Sequence, residues 1–165
     1  MKKIVLLIAI ATTFLFQGCT TKEEVHADLL AEVFEVRTSF TLANYYSRLV
    51  TLNPPIYNSD MVLVYRLFDV VNGQNLWRQL PQAVYLPQGE LNYNFDFTRN
   101  DIEIFLESDF DLATLGAFWS QNQVFRVVII PGYFSNKNNN AIDFNDYNAV
   151  VKAFKIKDNQ IKSIQ

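Results

Sequence analysis

Residues Leu91–Thr98 read LNYNFDFT, so that every second residue is apolar. The apolar members are Leu91, Tyr93, Phe95 and Phe97, and the polar ones are Asn92, Asn94, Asp96 and Thr98. Successive side chains of a strand point to opposite faces, so one face here is mainly aromatic and the other polar. The pattern predicts a strand of an antiparallel sheet with one solvated side.

The segments around this stretch also indicate strands. Met61–Val71 and Leu76–Leu80 are separated by Asn72-Gly73, a pair that favours a type I′ hairpin turn. Val124–Ile130 is almost continuously apolar and β-branched, which predicts a central strand. The other predicted strands are Phe34–Leu42, Tyr45–Leu52, Ala83–Leu86 and Ile102–Leu106.

Near its end the chain changes to a helical pattern. Asp143 or Asn145 is expected to cap this helix, and Val150 and Phe154 are spaced to pack on a sheet. Leu112–Trp119 is helix-like or irregular. We therefore predict a mainly β fold: one antiparallel β-sandwich with one C-terminal α-helix, forming a single domain over residues 31–165.

The composition excludes several classes of protein. Of 165 residues, 50% are hydrophobic and 19% are charged, which excludes a disordered chain. One Cys and one His exclude an internal disulfide and a Cys/His zinc site. His26 lies in the N-terminal tether described below, so it is given no catalytic role. The net charge of −3 gives no signal for a nucleic-acid partner, and the sequence predicts no cofactor or metal.

The N-terminus has the pattern of a secretory signal. Two lysines precede an apolar run, Ile4–Phe16, which is shorter than the roughly 20 residues of a transmembrane helix. The following Gly18-Cys19 resembles the lipobox of bacterial lipoproteins, although Phe16 stands where the common form has Leu. The resemblance implies cleavage after residues 1–18 and acylation of Cys19, with residues 19–30 as a tether. The alternative is an ordinary secreted protein with a free or buried Cys.

Cleavage after Gly18 removes two lysines and leaves twelve basic against seventeen acidic residues, a net charge of −5. Lys22-Glu23-Glu24 then follows the lipidated Cys19 and resembles the surface-export signal of Bacteroidetes-type lipoproteins. This implies a cell-envelope protein, anchored in outer-membrane lipid through acylated Cys19. Surface display is one expectation, and the periplasmic leaflet is the alternative.

A second resemblance covers about residues 31–157. It rests on five segments: Met61–Phe68, Leu76–Pro87, Leu91–Thr98, Asn122–Pro131 and the helix opened by Asp143. Together they resemble a group of small Bacteroidetes-type lipoproteins, many of which carry a collagen-like segment after the lipidated Cys. Residues 20–30 have no Gly-X-Y period, so no triple helix forms here. The resemblance implies a class, the envelope lipoproteins, and does not imply a mechanism.

Two groups of oxygen-bearing side chains are candidates for chemistry. The acids are Asp101, Glu103, Glu107, Asp109 and Asp111. Paired carboxylates serve glycosidases or bind Ca²⁺, and the alternative is a solvated strand edge. Asn136, Asn138, Asn139 and Asn140, with Asp143, offer Ca²⁺ ligands or simply form a turn.

Aromatic and basic side chains allow further interpretations. Trp77, Trp119 and the eight Tyr form either a sugar-stacking platform or part of the core. The arginines in or beside predicted strands pair with acids across the sheet or form a basic groove; they are Arg48, Arg66, Arg78, Arg99 and Arg126.

From these features we expect a lipoprotein with a non-catalytic binding, adhesion or structural role, and with a glycan or another envelope protein as partner. The first alternative is a carbohydrate-binding module, which requires exposed Trp or Tyr in a row on one sheet face. The second is a hydrolase that uses the acids of residues 101–111.

Overall fold

The structure is a computed structural model that describes residues 31–132 and 142–164. Its strands are β1 (Glu32–Thr38), β2 (Ser47–Thr51), β3 (Met61–Val71), β4 (Gln74–Gln79), β5 (Gln82–Leu86), β6 (Gly89–Phe97), β7 (Asp101–Ser108), β8 (Gln123–Ile130) and β9 (Lys162–Ile164). Its α-helices within that range are α1 (Ala117–Ser120) and α2 (Tyr147–Phe154), and 3-10 turns lie at Leu42–Asn44, Leu112–Thr114 and Asp158–Gln160.

The strands form two sheets. Sheet A has the order β4-β3-β8-β1-β9, and sheet B has the order β2-β7-β6-β5. The paired strands run antiparallel except β1 and β9, which are parallel. The prediction of an antiparallel sandwich with a C-terminal helix is therefore confirmed.

The molecule has three layers, because each face of sheet A packs on something different. Its inner face shares one core with sheet B, where Val64, Phe125 and Ile104 are fully buried. Its outer face packs under α2 through a second core that includes Tyr65 and Val150. The middle strand β8 is consequently buried along its whole length, which explains why its sequence is apolar except for Gln123 and Arg126.

Sheet B has only its inner face in the core. Leu91 and Tyr93 of β6 are fully buried, whereas the alternate residues Asn92 and Asn94 are partly exposed. The predicted alternation is confirmed over Leu91–Phe95, whereas Phe97 at the end of the strand is 47% exposed. The predicted hairpin between β3 and β4 is confirmed as well, since Asn72 and Gly73 have φ angles of 52° and 77°.

The N-cap of α2 and the presence of β9 both differ from the sequence prediction. Asp146 caps α2 by accepting a hydrogen bond from the Asn148 amide at 2.9 Å, so the prediction of Asp143 or Asn145 as the cap is wrong. Asp143 instead closes the preceding turn by accepting the Asn145 amide at 3.0 Å. Strand β9 was not predicted, because three exposed residues are too few to show an alternating pattern.

Several predictions fall outside the described residues: the signal peptide 1–18, the tether 19–30 with Cys19 and His26, and Asn136–Asn140. Among the residues that are described, no helix has the length and apolar character needed to cross a membrane.

Candidate functional site

The acids of residues 101–111 lie on the exposed side of sheet B or just beyond its end. Most of these acids are exposed. Each accepts a hydrogen bond from a different neighbour. Glu103 accepts from Ser47, Glu107 from Asn94, Asp101 from Thr98, Asp109 from the Glu90 amide and Asp111 from the Ala113 amide. Asp96 lies opposite Glu103, but on the exposed face of the sheet. The hydrolase alternative needs two carboxylates that converge in a concave site, and this placement does not supply them.

The aromatic residues divide between core and surface. Trp77 is 9% exposed, and Trp119 is partly buried against the inner core. The exposed tyrosines of the described chain are Tyr45, Tyr57 and Tyr85. Tyr85 lies on edge strand β5, whereas Tyr45 and Tyr57 lie in loops on either side of β2. These rings do not form the row on one sheet face that the carbohydrate alternative requires.

Of the five arginines expected to pair with acids, Arg126 is the one that forms ion pairs among the described residues. It lies directly opposite Glu35 in the register of β1 and β8, and its Nε donates to the Glu35 carboxylate at 3.2 Å. Its Nη1 donates to the Tyr147 hydroxyl at 2.7 Å and to Asp158 at 3.2 Å. The guanidinium also lies 4.3 Å from the Trp77 ring centroid. This satisfied network ties sheet A to α2, so we assign it to the fold.

The tyrosine of this network makes the stability depend on alkaline pH. Burial, with a smaller contribution from Asp158, raises the pKa of Tyr147 to about 12 against the opposing effect of Arg126. The neutral phenol therefore contributes stability that is complete below about pH 10 and is lost as the pH rises to about 12. Over that interval, the unfolding free energy of Tyr147→Phe should fall less steeply than that of wild type in urea titrations. Parallel curves would contradict this contribution.

The expectation of acid pairing fails for Arg66. Its cross-strand neighbours in sheet A are Arg78 and Phe125, so the register places no carboxylate beside it. Its Nε donates to Gln123 Oε1 at 2.9 Å, while its buried Nη1 has no hydrogen-bond partner. The residue is nevertheless only 2% exposed. Arg66 is thus a buried cation without an ion pair among the described residues.

Aromatic rings surround this guanidinium. Its central carbon lies 4.2 Å from the Tyr93 ring centroid, 5.5 Å from that of Trp119 and 5.9 Å from that of Phe68. The Arg78 guanidinium lies over Phe68, with its central carbon 3.4 Å from the ring centroid. Burial lowers the pKa of Arg66, Tyr93 opposes this effect, and the nearby charge of Arg78 adds to it.

Arg66 lines an open cavity of about 450 Å³, which we call the Arg66 cavity. Its other lining residues are Leu67, Phe68, Ala117, Phe118, Gln121, Asn122, Gln123 and Val124. Phe118 is 71% exposed at its edge. Gln123, the first residue of β8, connects the strand to α1 and the following loop. Its Nε2 donates hydrogen bonds to the carbonyls of Phe118 and Gln121 at 3.0 and 2.8 Å.

The sequence contains one signal for this site. Arg66 has the same parity as Val62 and Val64, so an alternating strand carries all three toward the inner core. The pairing of β3 with β4 and the position of α1 depend on contacts between distant segments, which one sequence does not reveal. The basic-groove interpretation included Arg66 among five arginines but did not locate the cavity.

Within the described residues, no group of three or more His, Cys, Asp or Glu side chains is arranged to hold a metal ion. No family model, curated protein or solved structure matches this chain.

Proposed function

We propose that this chain is a lipid-anchored envelope lipoprotein whose β-sandwich is a non-catalytic ligand-binding module. The observation that supports binding is the Arg66 cavity, whose lining combines a buried arginine with amide-bearing and aromatic residues. Its lining contains no carboxylate, hydroxyl, thiol or imidazole that would serve as nucleophile or general base. The anchor is supported by the signal-like N-terminus that ends in Gly18-Cys19.

The fold suits this role. Sheet B keeps its polar side toward solvent, while sheet A is covered by α2 on its other face. The cavity lies between residues of the interior strands β3 and β8 and the segment Ala117–Asn122 that precedes β8. A tether of residues 19–30 would hold this domain away from the lipid headgroups while the acyl chains remain in the membrane.

Replacement of the proposed lipid attachment residue tests the anchor. In a lipoprotein-processing bacterial host, the wild-type chain should incorporate labelled palmitate and sediment with the membranes. Cys19→Ser should lose the label, because no other Cys is available for acylation. Cys19→Ala is a second variant that also lacks the thiol, and Thr20→Ser controls for disturbance of the cleavage region. Equal labelling of Cys19→Ser and wild type would contradict the proposal.

The side of the membrane is a separate question with its own measurement. Addition of protease to intact cells should degrade the domain if it is surface-displayed, as the Lys22-Glu23-Glu24 resemblance implies. Protection in intact cells, with degradation after outer-membrane permeabilisation, would place it on the periplasmic side instead.

A further inference from the structure

We propose that the Arg66 cavity binds a small monocarboxylate with an apolar or aromatic body. This inference rests on the proposed binding function and names the ligand class for that site. Arg66, which is part of the lining, would pair with the carboxylate, and Phe68 and Phe118 would contact the body of the ligand.

The first argument is the unsatisfied state of Arg66. Burying a guanidinium removes its hydration, and a buried donor without a partner is unfavourable. Arg66 is 2% exposed, and its Nη1 has no partner while Nε is held by Gln123. An anion that enters the cavity would supply both the missing acceptor and the missing counter-charge.

The second argument is that the contacts of Arg66 leave its charge without a counter-charge. Aromatic rings attract a guanidinium through its faces, whereas its N–H groups donate from its edges. The Tyr93 and Trp119 ring centroids lie 4.2 and 5.5 Å from its central carbon, and these rings are not hydrogen-bond acceptors that satisfy Nη1. Gln123 holds the Nε edge, so the guanidinium has a fixed position in the wall of the cavity.

The third argument concerns the kind of anion. A planar carboxylate fits the fork of an Arg and carries one charge, which matches the single guanidinium that lines the cavity. A phosphate carries a second charge, and the next cation, Arg78, stacks on Phe68 outside the lining. The volume of about 450 Å³ lies within the range of small-molecule sites.

Ligand-observed NMR on the full-length, detergent-solubilised chain tests the inference with benzoate as the probe. We expect saturable binding of benzoate and at least about tenfold weaker binding of benzamide and of inorganic phosphate, because only benzoate joins the charge to the ring. Absence of benzoate binding would overturn the inference. Phosphate or benzamide binding as tight as that of benzoate would overturn the carboxylate assignment.

Variants locate the binding. Arg66→Gln keeps a donor near Gln123 but removes the charge, and should weaken benzoate binding about tenfold or more. Arg48→Gln is the matched control: it also removes one arginine, and Arg48 is not among the residues that line the cavity. Benzoate affinity should be unchanged in Arg48→Gln. Equal affinity of Arg66→Gln and wild type would overturn the site.

Two readouts separate binding from folding. Arg66→Gln should not lower the Tm of the ligand-free protein, because it removes an unpaired buried charge; a fall in Tm would assign Arg66 to the fold. Ala117→Trp fills the cavity from exposed α1 and should block benzoate binding with Tm unchanged. Unaltered benzoate binding by Ala117→Trp would overturn the site. Acylation of Cys19 is measured in a separate experiment, so a negative binding result would not contradict the proposed lipid anchor.

Discussion

Replacing Phe125 by alanine is expected to lower the free energy of unfolding by about 3–5 kcal/mol. The ring belongs to β8 and is fully buried, and it lies edge-on to Phe40 with the ring centroids 5.9 Å apart. It also contacts Tyr93 of sheet B at 6.3 Å. Truncation therefore opens a cavity between the two sheets, where rigid strands leave little room for relaxation. Domains of this size have about 5–15 kcal/mol of stability in total, so the effect is large.

Phe118→Ala provides the comparison for Phe125→Ala, because the same side chain is removed from a position that is 71% exposed. It should change the free energy of unfolding by less than about 1 kcal/mol. Urea unfolding followed by circular dichroism measures both variants. Similar losses for Phe118→Ala and Phe125→Ala would contradict the assignment of Phe125 to the inter-sheet core.

The second large effect is expected from Glu35→Gln, which should lower the free energy of unfolding by about 2 kcal/mol. The side chain of Arg126 is 8% exposed, and that of Glu35 is 15% exposed. Neutralising Glu35 leaves the buried guanidinium with Asp158, whose side chain is 59% exposed, as its remaining acid. Breaking a buried pair from one side is unfavourable because the other charge stays out of water.

Arg37→Gln is a matched control for Glu35→Gln. Arg37 pairs with the same carboxylate at 3.0 Å, but its side chain is 53% exposed. Exposed pairs contribute little, so Arg37→Gln should change the free energy of unfolding by less than about 1 kcal/mol. The two variants are compared by urea unfolding at neutral pH. Equal effects would show that burial of Arg126 does not strengthen its pair with Glu35.

The sequence predicted the strands well because their two packing environments leave different patterns. A strand covered on both faces is almost continuously apolar, as Val124–Ile130 is apart from Arg126, and a strand covered on one face alternates, as Leu91–Phe95 does. The turn at Asn72-Gly73 was predictable because its positive φ angles suit only a few residues. The cap of α2 was misplaced because several acids and amides stand in a row before Tyr147.

The candidate site was predicted less well, since it is made by contacts between distant segments. Arg66 and Trp119 lie far apart in the sequence, and their approach depends on how residues 112–121 return over the end of the sandwich. The sequence also favoured acid pairing for the arginines. The register supplied an acid opposite Arg126 and another arginine opposite Arg66. A one-residue shift would instead place Phe34 or Val36 opposite Arg126, so the environment of each arginine depends on the register.

The mass of the mature chain, isolated from the membranes of its native host, determines whether this domain is lipid-anchored. We expect an N-terminus at Cys19 that carries a thioether-linked diacylglycerol, with residues 1–18 removed. A mature chain with an unmodified Cys19 thiol, or one that retains residues 1–18, would contradict the account of an anchored binding module.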